Sequence, residues 1–179
     1  DRLEAGEPVA PAEVEKISEL VNETNRQTRA VARGLFPVRL EDNGLVSALE
    51  ELAHNSGTLF DARVEFDCPP PEPVVENSVA LHLYYIAQEA VLNAARHGRA
   101  RHISVSLQPA GERWALRIHD DGTGFDPTAP RSGMGIRIMR YRARVVGATL
   151  DLKSAPESGT QVTCLFRTRP AEDPATTTT

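Results

Sequence analysis

Glu89 and Asn93 stand four residues apart in the stretch Ser78–His97, SVALHLYYIAQEAVLNAARH. In a helix that spacing puts a carboxylate and an amide on one face, pointing the same way. Leu83, Ile86, Ala87, Ala90, Val91 and Ala94 recur at helical intervals in the same stretch, so the pair borders an apolar stripe. Polar groups beside such a stripe are costly unless something binds them. Alone, the pair reads as a solvated carboxylate and an amide with a local hydrogen bond. Three glycine-bearing turns downstream change that reading: Asp120-Asp121-Gly122-Thr123-Gly124-Phe125, then Gly133-Met134-Gly135-Ile136, then Gly159-Thr160. Glycine lets a ligand approach the backbone closely, and amides that open a helix bind phosphate through their geometry and field. Together these groups predict a frame for a phosphate and a base.

Other chemistries fit poorly. No GxxxxGK[ST] run exists, which removes the P-loop. Gly122 and Gly124 follow a predicted strand but lead into a proline-bearing loop, so a dinucleotide fingerprint is not supported. Asp120–Gly124 does not continue as a calcium loop, because the later oxygen ligands and the closing Glu are missing. The two cysteines, Cys68 and Cys164, make neither a metal spacing nor a disulfide framework. A net charge of −5 argues against a generally basic nucleic-acid or anionic-membrane surface, so no nucleic-acid contact is expected. No stretch approaches the ~18 apolar residues of a membrane span. The chain starts at Asp1 without an initiator Met and is expected to be a fragment of a longer protein.

These groups need elements to hold them. After a lead with no period, Val14, Ile17, Val21, Thr24, Thr28, Val31 and Leu35 recur at three or four, which predicts an amphipathic helix over about 12–34. Gly34 and Pro37 end it. A second helix follows within 40–60, with Leu45, Ala48, Leu49, Leu52 and Ala53 as its stripe. Residues 62–67 alternate as a strand, and the proline-dense 68–73 is a rigid connector. Glu76 or Asn77 starts the helix of Glu89 and Asn93, and His97-Gly98 stops it. Strands over 103–108 and 114–119 read as a hairpin with one buried face, the second delivering Asp120. Asp121 is expected to face water or order the loop. Gly133–Gly135 opens a helix over 136–146, and strands over 148–152 and 162–166 close the order. Residues 169–179, rich in Pro, Glu, Asp and Thr, read as a disordered tail.

In this order and at these distances the motifs resemble those of the ATP-binding catalytic domain of sensor histidine kinases, within the ATPase superfamily that includes gyrase B, the Hsp90 chaperones and MutL. The resemblance covers about residues 30 to 168. ARGLFPVRLEDNGLVSALEELA (32–53), the short link from Asp120 to Gly133, and MGIRIMRYRARVVGATLDL (134–152) look like the branch that signals to response regulators with LuxR-type output domains. The resemblance implies an α/β two-layer sandwich of the Bergerat type: a mixed, mostly antiparallel sheet covered on one face by helices and preceded by a long helix. Residues 1–36 would then be part of a dimerisation and phosphotransfer region whose second hairpin helix is 12–34. Residues 37–168 would be the ATP-binding domain. Asn93 would ligate Mg²⁺ bridging the ATP phosphates, with Glu89 as a catalytic aide that can hold a metal-bound water. Arg96 and His97 would reach phosphate oxygens. Asp120 would accept from the adenine amino group, with Thr160 near the base. Gly122, Gly124, Gly133, Met134, Gly135 and Ile136 would shape the nucleotide cradle under a short lid.

The implied activity is transfer of the γ-phosphate to a histidine on the first hairpin helix, which this chain lacks. His54-Asn55 lies in the ATP-binding domain and is not expected to replace it, so the fragment is not expected to phosphorylate itself. The implied partners are the hairpin, a LuxR-type response regulator and a second copy in the full-length parent. The work is cytoplasmic, whether or not the parent is membrane-bound. Two alternatives share the fold: a serine kinase of the anti-sigma-factor type, and a non-enzymatic ATP-gated dimerisation module.

Overall fold

The computed structural model describes residues 44–126 and 134–168. The expected helix over 12–34, Gly133 and the expected tail lie outside the described residues.

Eight elements follow in chain order: α1 (Gly44–Phe60), β1 (Arg63–Asp67), α2 (Asn77–Arg96), β2 (His102–Ala110), β3 (Arg113–Asp120), α3 (Met134–Val145), β4 (Thr149–Ser154) and β5 (Thr160–Phe166). The strands form one sheet in the order β1-β2-β3-β5-β4. β1 pairs with β2 in parallel and every other pair is antiparallel. A parallel pair needs a crossover, and α2 supplies it. The result is a two-layer α/β sandwich with its described helices on one face, as the resemblance implies.

The layers follow from alternation. Ile103, Val105 and Leu107 on β2, Leu116 and Ile118 on β3, and Val162, Cys164 and Phe166 on β5 are buried toward the helices. The other face carries Ser104, Gln108, Arg117, His119, Gln161 and Thr163, and is polar enough to meet water. There Arg117 Nη1 donates to Gln108 Oε1 at 2.8 Å. Opposite the apolar face, α2 buries Ala80 and all six residues of its predicted stripe. Each large apolar side chain buried this way is worth about 1.5–3 kcal/mol. α2 lies between α1 and α3 and over β3. Two N–H groups, of His97 at 2.9 Å and Gly98 at 3.0 Å, share the Asn93 carbonyl and end the helix.

The hairpin runs further than its sequence pattern predicts. Pro109 pairs with Trp114 and Ala110 with Arg113, leaving only Gly111 and Glu112 as the turn. A proline is tolerated there because β1 stops opposite Ser106, so the outer side of β2 beyond it has no ladder to lose. Thr160 and Ser154 likewise fall inside strands rather than in the turn that the Pro, Glu and Ser content between β4 and β5 suggests.

α3 buries Met139 and Ala143 and rests on α2, with the Arg142 guanidinium carbon 4.4 Å from the Tyr85 ring centroid. That distance is a cation–π contact. Its outer side leaves Met134, Ile138, Tyr141 and Val145 exposed. Among the described residues, no helix is long and apolar enough to cross a membrane.

Candidate functional site

The sheet register lines up the site. Ser154 pairs with Thr160, Thr160 with Asp120, and Asp120 with Ile103, so four strands place these residues in one row. Directly opposed residues share a face. This row faces the helices at the edge of the core, and the next row inward is Leu152, Val162, Ile118 and Val105. A cavity of about 530 Å³ opens above the two rows. Its floor is Ile118, Leu152 and Val162, with Met139 of α3 facing them and Asp120 and Thr160 at one end. α2 contributes Glu89, Ala90, Asn93, Ala94 and His97 to one wall, the first turn of α3 meets that wall at Glu89 and Asn93, and Gly124, Phe125 and Asp126 add to the lining. A mostly apolar slot with a few polar groups at its ends suits a flat heterocycle carrying a charged tail.

Asp120 is 5% exposed, and apart from Ser56 it is the buried polar or charged residue of the described core. Its Oδ1 accepts from the Gly122 N–H at 2.8 Å, and beyond the lone pair that bond uses a carboxylate has others for a ligand at the cavity. Burial pushes its carboxyl above the ordinary carboxylate range, while the N–H groups of Gly122 and Thr160 pull the other way. Asp121 is the opposite case. It is exposed, and its Oδ1 accepts from the N–H groups of Arg101 at 2.8 Å and His102 at 2.9 Å. Its Oδ2 lies 2.9 Å from His102 Nδ1. Led by the backbone and ring hydrogen bonds of His102, these contacts hold Asp121 down at about 2. Asp121 therefore orders the loop by tying it to the start of β2.

The loop past Asp121 is fixed at further points. Thr123 N–H donates to Gly98 O at 2.9 Å, Glu157 N–H to Thr123 O at 2.7 Å, and Phe125 N–H to Ser154 Oγ at 2.9 Å. Gly124 has φ +61° and lies against the Ala155 carbonyl, so any side chain there meets both backbone strain and a collision.

Asn93 Nδ2 donates to Glu89 Oε1 at 3.2 Å. That bond turns the amide nitrogen toward Glu89 and leaves the Asn93 carbonyl oxygen for another partner. Gly135 packs directly on the pair: a Cβ placed there would collide with Glu89 Oε1 and lie 3.2 Å from Asn93 Nδ2. The first turn of α3 thus reaches the polar end of α2 because it carries no side chain at that point.

Of the residues singled out from sequence, Glu89, Asn93, His97, Asp120, Gly124, Met134, Gly135, Ile136 and Thr160 border the one cavity. Gly122 sits behind Asp120 as its hydrogen-bond donor. Arg96 turns elsewhere: its guanidinium carbon is 5.9 Å from the Phe60 ring centroid, at the end of α1. Sequence reasoning did not single out Ser154, whose hydroxyl touches three parts of the site. It sits in a stretch that reads as a polar turn, and only the β4–β5 register reveals it. The apolar floor was visible only as strand alternation.

Residues 78–170 match the family model described as Histidine kinase-, DNA gyrase B-, and HSP90-like ATPase. The nitrate/nitrite sensor protein NarQ of Escherichia coli (strain K12) is 33% identical over 158 residues, covering 87% of this chain and 28% of that protein. The sensor protein VraS of Staphylococcus epidermidis is 29% identical over 157 residues, covering 87% of this chain and 44% of that protein. The chain therefore spans less than half the length of these relatives. Among solved structures, the ATP binding domain of PrrB from Mycobacterium tuberculosis superposes with a TM-score of 0.56 at 20% identity, covering 69% of this chain and 93% of that one. The histidine kinase AdeS of Acinetobacter baumannii gives 0.62 at 17% identity, over 90% and 87%. At these identities the two structures speak to the fold.

Proposed function

The chain belongs to the histidine kinase-, DNA gyrase B- and HSP90-like ATPase family, and from that premise we propose that it is the ATP-binding catalytic domain of a two-component sensor histidine kinase. The observation that carries the reading is the buried Asp120 at the end of an apolar slot whose far wall holds Glu89, Asn93 and the α3 N-terminus. The adenine ring fits between the Ile118–Val162–Leu152 floor and the Met134–Met139 wall. Its amino group donates to the Asp120 carboxylate, where a keto oxygen would meet lone pairs instead. The triphosphate then runs toward Asn93, His97 and the amides that open α3.

The donor set at that end fits Mg²⁺. The metal takes hard oxygen ligands and is commonly held by one or two protein groups plus substrate phosphates. Asn93 Oδ1 would hold it directly, and Glu89 through a water. Bound there, it would neutralise phosphate charge. The chain's own residues supply the positioning that dominates phosphoryl transfer: the slot fixes the base, and Asn93 and the α3 amides orient the phosphates. Glu89 polarises the incoming nucleophile, a histidine on a dimerisation hairpin of which residues 12–34 supply the second helix. The phosphoryl group then passes to an aspartate of a response regulator, with a LuxR-type output domain by the sequence cues. In the parent the kinase is a homodimer and this domain works in the cytoplasm.

Calorimetric titration with a non-hydrolysable ATP analogue and Mg²⁺, on the native chain and on Asp120→Asn, tests the site. Affinity should fall at least tenfold in the variant, by loss of a charged hydrogen bond worth about 1.5–3 kcal/mol. Equal affinity in the two proteins would remove the adenine assignment. With ATP itself in place of the analogue, adding a separately produced histidine hairpin should yield acid-labile phosphate on that hairpin and release ADP.

A further inference from the structure

Ser154 makes three contacts through one hydroxyl oxygen: the Phe125 N–H at 2.9 Å, the Gly159 carbonyl at 3.0 Å and Thr160 Oγ1 at 3.0 Å. A serine hydroxyl has one proton and two lone pairs. Phe125 N–H can only donate, so it occupies one lone pair. Gly159 O can only accept, so it must receive the proton; otherwise two sets of lone pairs would face each other at 3.0 Å. The remaining lone pair faces Thr160, and the Thr160 hydroxyl must therefore donate its own proton to Ser154. All the hydrogen-bonding capacity of Ser154 is then used within the protein.

The consequence falls on Thr160. With its proton committed, it offers the cavity lone pairs and nothing else. Thr160 is paired in register with Asp120, whose carboxylate also offers lone pairs when ionised. Both residues border the cavity at the same end. That end is thus lined by acceptors whose polarity is set from behind, by a residue that does not itself line the cavity.

We propose that Ser154 is a specificity-determining positioning residue: by accepting the Thr160 hydroxyl proton, it makes the base end of the cavity acceptor-only and selects a purine bearing an exocyclic amine over one bearing a keto oxygen. This rests on reading the cavity as a nucleotide site. Without Ser154 the Thr160 hydroxyl rotates freely, and its proton can turn toward the ligand to satisfy a keto group. Ser154 therefore acts on discrimination between bases, beyond any effect on affinity.

The test measures affinities of the β,γ-imido analogues of ATP and ITP, with Mg²⁺, for the full chain and its variants. Adenine and hypoxanthine differ at the exocyclic group, amine against keto oxygen, and at the adjacent ring nitrogen, which carries a proton only in hypoxanthine. The change of ratio between native and variant chains, rather than the native ratio, therefore reads the Thr160 hydroxyl. The native chain should prefer the adenine analogue, and Ser154→Ala should reduce that preference about tenfold, the value of one hydrogen bond gained and one lost. Ser154→Thr, which keeps the hydroxyl, should restore it. Thr160→Val leaves the Ser154 bonds to Phe125 and Gly159 in place and should lose part of the same preference, because it removes the acceptor without supplying a donor. This covers the case of a Ser154→Ala chain that does not fold. Equal weakening of both analogues in Ser154→Ala, or an unchanged ratio in Ser154→Ala or Thr160→Val, overturns the proposal. A native chain that binds neither analogue overturns the nucleotide reading itself, and the role of Ser154 with it.

Discussion

Asp120 and Asp121 are neighbours in sequence with opposite consequences for stability. Asp120 is buried and its folded carboxyl titrates above its ordinary value, so keeping it ionised costs folding energy at neutral pH. That cost is relieved as pH falls through the raised value. Asp121 is held at about 2 against an ordinary 3.8, so its contribution is complete above about pH 4 and is lost as pH falls through about 2. Being half exposed, it is also screened by salt. In thermal denaturation at pH 7, Asp120→Asn should melt higher than the native chain while losing nucleotide affinity. Asp121→Asn should melt lower, and its deficit should close on acidification toward pH 2. A lower Tm for Asp120→Asn would contradict the claim that the carboxylate is kept for binding at the expense of stability. The split of roles, with Asp121 ordering the loop, is readable in the sequence, but the partners that produce it are not. The partners that separate them, Arg101 and His102, lie 20 and 19 residues upstream and are reached only through the β2–β3 pairing.

The elements that hold the site were legible where a single periodicity governs them. The α2 stripe and the alternation in β2, β3 and β5 are local consequences of helix and strand geometry, and both are present as read. Contacts between elements were not legible. Arg96 lies beside Phe60 because the ends of α1 and α2 adjoin, and Ser154 reaches Phe125 because β4 ends beside the Asp120 loop. The glycines show the same division. Gly135→Ala places a methyl against the movable end of Glu89, so the fold should survive. Overpacking of this kind costs about 1–3 kcal/mol. The loss should appear as roughly a 5- to 100-fold weaker nucleotide analogue affinity with little change in Tm. Gly124→Ala collides with the Ala155 backbone at positive φ, and it should lower Tm as well. Titration and melting of the two variants side by side check the distinction. Matching losses of stability would show that the first turn of α3 is scaffold rather than ligand wall.

Across the whole molecule, the cavity is closed by α2, α3, the Asp120 loop and three strands, so a ligand joins parts of the chain that are distant in sequence. A ligand that binds only the folded state stabilises it by about 2.7 kcal/mol at 100 times its Kd. Melting scans with the ATP analogue and Mg²⁺ should therefore rise by roughly 5–10 °C. The rise should shrink when the metal is chelated. Among the described residues, those that border the cavity all lie at or beyond Glu89. α1 and β1 contribute none of them; they pack on α2 and pair with β2. The connector between β1 and α2 is exposed at Pro70, Pro71 and Glu72. A nick there would divide the chain into one piece holding the described cavity lining and another that packs on α2 and β2 behind it. Nucleotide affinity in such a split protein would depend on the concentration of the two halves, which makes the pocket a reporter of fragment complementation.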